Sequence, residues 1–172
     1  MKTQWMKWTA LLALAAALAL QAADPATPPA PPPAKNAPPP HLAFQKEAAA
    51  ILPAFRKWGK TTGREVEMLD GNAKVIGFLR LAPAGRRSRV RGFKGNIDVA
   101  AVLGPDKRIL GVAIGANRET PRFLQKVRSG GLLSQYNGKT MKEANAAPPP
   151  MPVTGATYSS RAIIAEMKDV LK

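Results

Sequence analysis

The sequence predicts an α+β fold: an antiparallel, hairpin-rich sheet with flanking helices, in a single domain behind a signal peptide and a proline-rich linker. Three observations carry that reading. From Glu65 onward Val66, Met68, Val75, Gly77 and Leu79 recur at even spacing, the period of a half-buried strand. Turn-forming clusters, Asp70-Gly71-Asn72 and Gly104-Pro105-Asp106-Lys107, fall where hairpins should close. Residues 160–171 switch to a helical period, with Ile163, Ile164, Met167, Val170 and Leu171 at i, i+1, i+4, i+7 and i+8.

In chain order, the 172 residues divide into 1–23, 24–42 and 43–172. Met1–Trp8 carries Lys2 and Lys7 and no acid, Thr9–Leu20 is rich in Leu and Ala, and Gln21-Ala22-Ala23 precedes Asp24-Pro25. That is the layout of a secretory signal peptide, with cleavage expected near Ala22 or Ala23. The apolar run is shorter than the roughly 20 residues of a membrane span. An uncleaved N-terminal anchor is the other reading. Both place the rest of the chain outside the cytoplasm, in the periplasm or on the outer face of the cytoplasmic membrane. Pro25–Pro40 (PATPPAPPPAKNAPPP) is a polyproline-II-like spacer that builds no core. Phe44–Trp58 has helix-forming content interrupted by Pro53. Two strand arms flank Asp70-Gly71-Asn72, and Asn96–Leu103 and Arg108–Ile114 form a second hairpin. Pro121–Arg128 reads as a helix, Leu132–Gly138 as a mixed segment ending in a turn, and residues 160–171 as the final helix.

Charge and composition exclude much. Lys and Arg number 26 against 11 Asp and Glu, a net +15; removing residues 1–23 takes away Lys2 and Lys7 and leaves +13. Such a balance points to nucleic acid, an anionic membrane surface or an acidic partner, and export removes nucleic acid. The absence of cysteine excludes disulfides, iron–sulfur clusters and c-type haem attachment. A single histidine, His41 in the linker, leaves no histidine-based zinc or haem site. Arg86, Arg87, Arg89, Arg91 and Lys94 form a basic run through Arg91-Gly92-Phe93, which lacks the later positions of an RNA-binding motif and reads as a solvated loop. Gly138-Lys139-Thr140 is no P-loop, because Leu133 stands where the glycine must be. No catalytic constellation is present, so any redox chemistry must be carried by something bound.

The stretch Val153–Ile163 places Thr154, Thr157, Ser159 and Ser160 just before the final helix. Free N–H groups and the positive dipole end at a helix start favour a phosphate. Gly155 and Ala156 let a bulky ligand approach, and Thr154 and Thr157 offer hydroxyls. Ser159 or Ser160 is expected to cap the helix. An anion site and a plain helix cap both fit these residues.

Thr154-Gly155-Ala156-Thr157-Tyr158-Ser159 resembles the Ser/Thr-Gly-Ala-Thr-x-Thr/Ser hallmark of the FMN-binding domain family. That family includes covalently flavinylated subunits of bacterial NADH:quinone and ferredoxin-linked electron-transport complexes, and related exported flavoproteins. Gly92-Phe93-Lys94-Gly95-Asn96-Ile97 is similar to its Gly-Tyr-x-Gly-x-Ile element, and Asp106–Val112 to its Asp-Gly-x-Ile-x-Gly-Val hairpin. Glu119-Thr120-Pro121 matches its Glu-Thr-Pro, and Phe123–Lys139 resembles the segment that follows. The resemblance implies an FMN cofactor joined through its phosphate to the hydroxyl of Thr157, within Thr154, Gly155, Ala156 and Ser159. A separate Mg-dependent flavin transferase would install it from FAD. Gly92, Phe93 and Gly95 would border the flavin together with Glu119, Thr120 and Pro121. The implied function is an exported electron carrier, rather than an enzyme turning over its own substrate, with a redox partner protein that is soluble or membrane-bound. The basic segment Arg86–Lys94 would retain the anionic flavin or dock an acidic partner. The chain departs from the family pattern at Met151 (usually aspartate), Arg122 (usually glycine) and Phe93 (usually tyrosine). Covalent FMN, non-covalent FMN and a flavin-free fold all remain open. In the last case the chain is a non-redox binding module using its basic surface on an envelope or protein partner.

Overall fold

Strand alternation and two turns close the expected meander. In the computed structural model of the protein, residues 38–84 and 88–172 are described. The signal-peptide segment, most of the linker, and Arg86 and Arg87 lie outside the described residues. Five strands, β1 (Lys57–Thr62), β2 (Glu65–Leu69), β3 (Val75–Leu81), β4 (Ile97–Leu103) and β5 (Ile109–Asn117), lie side by side in chain order. Every neighbouring pair is antiparallel. Helices α1 (Gln45–Ile51), α2 (Pro121–Ser129), α3 (Met141–Ala146) and α4 (Thr157–Leu171) flank the sheet. The fold is α+β, as the sequence predicts. Asp70 shapes the β2–β3 turn, its Oδ1 accepting the N–H groups of Asn72 and Lys74 at 2.9 Å each.

Period-two burial divides the core into two layers. Ile97, Val99, Ala101 and Leu103 of β4 face α4, whose Ala162, Ile163, Met167 and Val170 are fully buried on them. Ala100 and Val102 point to the other face, where Phe44, Ala48 and Phe55 close over Val66, Met68 and Leu79. Both faces of β4 are therefore covered, which explains its nearly unbroken apolar sequence.

Three local expectations are corrected. The helix expected over Phe44–Trp58 ends at Ile51, because Pro53 has no N–H to continue it. Trp58 belongs to β1, an edge strand that carries no buried residue and so shows no alternation. Helix α3 was not foreseen, although Thr140-x-x-Glu143 is a capping box: Glu143 N–H donates to Thr140 Oγ1 at 3.2 Å and Thr140 N–H to Glu143 Oε2 at 2.8 Å. The final helix begins at Thr157 rather than at residue 160. Among the described residues, no helix is long and apolar enough to cross a membrane.

Phe44, only 4 % exposed, ties the segment before β1 to the sheet. Phe44→Ala is expected to lower the unfolding free energy by about 3–5 kcal/mol, read from urea denaturation. A loss below about 1 kcal/mol would mean this outer layer contributes little.

Candidate functional site

Glu119 follows β5 in sequence, and its carboxylate is buried at 6 % exposure. A buried carboxylate needs donors, and this one has them from two other segments. Lys94 N–H donates to Oε1 at 2.6 Å, and the Ser159 hydroxyl of α4 donates to Oε2. Asn117 sets the approach: its Oδ1 accepts Glu119 N–H at 3.1 Å while its Nδ2 donates to the Gly115 carbonyl at 2.9 Å. Gly92 completes the seat. A Cβ there would stand 2.7 Å from Glu119 Oε1, so a larger residue would displace the carboxylate. The Gly92–Gly95 turn is closed by Gly92 N–H donating to Gly95 O at 2.7 Å. Gly92, Gly95, Glu119 and Ser159, far apart in sequence, thus meet around one carboxylate.

The four hydroxyls near the start of α4 separate into two kinds. Ser159 and Ser160 are buried and committed. Ser160 donates to the Ala156 carbonyl at 2.8 Å and accepts Val153 N–H at 3.1 Å, pinning the preceding loop. Neither serine caps the helix, contrary to the expectation; the flanking residue is Ala156, and no side chain caps its first turn. The reason is the earlier helix start, which puts both serines inside the helix. Thr154 is exposed and Thr157, the first helical residue, is half-buried. Among the described residues, neither threonine hydroxyl makes a protein hydrogen bond. The N-terminus of α4 therefore combines uncapped N–H groups with a free hydroxyl on the same turn.

Helix α2 links these regions. It starts at Thr120-Pro121, with Pro121 in the first turn where its missing N–H costs nothing. Near its C-terminal end Lys126 reaches the motif loop: a Cβ on Gly155 would stand 2.8 Å from Lys126 Nζ. Gly155 itself has φ +76°, a conformation that suits glycine. Ala156 is buried beneath the loop. An ammonium and a helix N-terminus, both positive, are brought to one place, which is the donor set a phosphate requires. Lys126 and Asn117 escaped sequence reading. Asn117, at the end of a strand and two residues before Glu119, carried the one usable signal, that of a local side-chain turn.

Beside the 92–95 turn lies an open cavity of about 450 Å³, lined by Arg91, Lys94, Gly95, Asn96, Asn117 and Arg118 among others. Thr157, Glu119 and Gly92 do not line it. Phe93 is exposed and meets Phe123 edge-on at 5.5 Å. Met151 is 81 % exposed.

Residues 92–172 match the family model of the FMN-binding domain, for which FMN is the cofactor. The match begins at Gly92, so α1 and β1–β3 precede it, although β1–β3 belong to the same sheet as β4 and β5. No curated protein matches the chain.

Glu119→Ala leaves the Lys94 N–H and the Ser159 hydroxyl without their acceptor, and is expected to cost about 2–3 kcal/mol of stability in urea unfolding. Ser159→Ala should then add almost nothing in the Glu119→Ala background. Additive losses would show that the two residues act independently.

Proposed function

Taking residues 92–172 as a member of the FMN-binding domain family, we propose that the chain is an exported electron-transfer protein whose FMN is linked through its phosphate to Thr157. The observation that carries this is the uncommitted hydroxyl of Thr157 on the uncapped first turn of α4, beside serines whose hydroxyls are both engaged. A flavin transferase would drive the attachment. Thr157 Oγ forms a bond to the FMN-side phosphorus of FAD, the pyrophosphate bond breaks, AMP leaves, and the hydroxyl proton passes to a base on the transferase. The α4 N–H groups and Lys126 then hold the phosphodiester anion. The flavin supplies one- and two-electron redox chemistry, and the chain fixes its position. The segments Gly92–Gly95 and Glu119–Pro121, fastened to each other, border the ring system. The lack of any catalytic constellation in the sequence fits a carrier between a donor and an acceptor. The signal-peptide layout of residues 1–23 supports a location in the periplasm or on the outer face of the cytoplasmic membrane.

One observation favours a second reading. Met151 stands exposed at the position where the family usually has aspartate, and a thioether has neither the charge nor the acceptor oxygens of a carboxylate. A chain that escaped attachment would bind FMN non-covalently, or serve as a non-redox binding module.

The test is periplasmic co-expression with a flavin transferase, read by intact mass and in-gel flavin fluorescence. One added FMN, absent in Thr157→Ala and kept in Thr154→Ala, is expected. A yellow protein of unmodified mass means non-covalent FMN. Colourless protein, beside a control substrate that is modified, overturns the electron-carrier reading. Lys126→Met, made in Thr157→Ala protein, is expected to weaken binding of free FMN about fivefold, the size of one exposed charge contact to phosphate. An unchanged Kd would remove Lys126 from the phosphate site.

A further inference from the structure

The cations around the 92–95 turn make no ion pair among the described residues. Arg91, Lys94 and Arg118 border the open cavity of about 450 Å³. Arg122 stands 5.5 Å over the ring of Phe123, which also meets the exposed Phe93 edge-on. Among the described residues, ion pairs are made by Arg80, Lys107, Arg108, Arg128 and Lys172, and by none of these four. Glu119, adjacent in sequence to Arg118, makes no ion pair with them; its carboxylate oxygens are engaged by the Lys94 N–H and the Ser159 hydroxyl. Cations gathered without a paired anion leave a positive potential at the surface that an incoming anion relieves.

The composition of the patch narrows what relieves it. Arginines beside a protruding aromatic, 59 % exposed, are the makings of a protein-interface anchor rather than of a solvated face. A small anion would neutralise the charge but leave Phe93 uncovered. A lipid surface is broad and flat, whereas three of the cations line a concavity that suits projecting carboxylate side chains.

We propose that this patch docks the carboxylate-rich face of a protein electron donor or acceptor. The inference rests on the flavin reading for what passes between the two proteins: docking here would set the partner over the Gly92–Gly95 turn, which in that reading borders the flavin. Complementary charge at such a contact raises the association rate and makes it sensitive to salt.

The probe is fluorescein-labelled hexaglutamate, titrated with the full chain at low salt and followed by anisotropy, with flavin content measured on the same samples. Binding is expected to weaken about tenfold in Arg91→Glu/Arg118→Glu. It should stay within about twofold in Lys46→Glu/Lys74→Glu, which changes net charge equally on other exposed, unpaired lysines. With protein co-expressed with the transferase, a colourless sample that keeps this selectivity supports the acidic-partner surface while removing the flavin reading. Equal weakening by both double variants would reduce the effect to net charge and overturn the proposal. So would no binding at all. So would sedimentation with phosphatidylglycerol vesicles that depends on Arg91 and Arg118 in a chain that ignores hexaglutamate.

Discussion

The buried carboxylate of Glu119 is the constraint from which the candidate site follows. It lies between a turn, the end of a strand and a helix start, and each contributes to its environment: Lys94 N–H, Asn117 beneath its own backbone, and the Ser159 hydroxyl. A carboxylate at 6 % exposure is tolerated only with its oxygens satisfied, so it forces these segments into one arrangement. Gly92 is part of the same constraint, because the carboxylate occupies the space a side chain would need. Glu119 therefore builds the site by fastening its walls together. It does so with both oxygens already engaged by the protein, which makes it a positioning group in the free chain.

The second consequence concerns the start of α4. Ser159 reaches Glu119 and Ser160 holds Val153 from inside the helix. The helix then begins at Thr157, and the residue left to flank it is Ala156, which has no hydroxyl to cap with. The uncapped turn and the free Thr157 hydroxyl thus sit beside the two hydrogen bonds that anchor the helix. Lys126 arrives from α2, whose first residues follow Glu119 directly in sequence. The segments around Glu119 and the groups proposed to hold the phosphate are linked through one short helix.

Much of this was legible in the sequence, for identifiable reasons. Val66, Met68 and Leu79 alternate because one face of each arm is buried, and the last helix shows its period because its inner face packs on β4. Both turns carried their own chemistry in Asp70 and in Gly104–Lys107. The motif segments could be recognised separately, but the carboxylate that joins them could not be read from spacing, since Lys94, Glu119 and Ser159 are separated by long stretches of chain. Strand β1 was invisible because an exposed edge strand need not alternate. The start of α4 was misplaced because serine and threonine read as caps by propensity, and here tertiary hydrogen bonds override that preference. Lys126 gave no signal, being one basic residue among many whose meaning comes only from its place beside Gly155.

The proposed attachment needs a fold that leaves Thr157, among several neighbouring hydroxyls, free and placed for the FMN phosphate. The most direct test is fragmentation mass spectrometry of the tryptic peptide Glu143–Arg161 from flavinylated protein, because that peptide contains Thr154, Thr157, Tyr158, Ser159 and Ser160 together. The FMN mass is expected on Thr157 alone. Its presence on Ser159 or Ser160 would contradict the buried, engaged state of those hydroxyls, and its presence on Thr154 would contradict the role given to the first turn of α4.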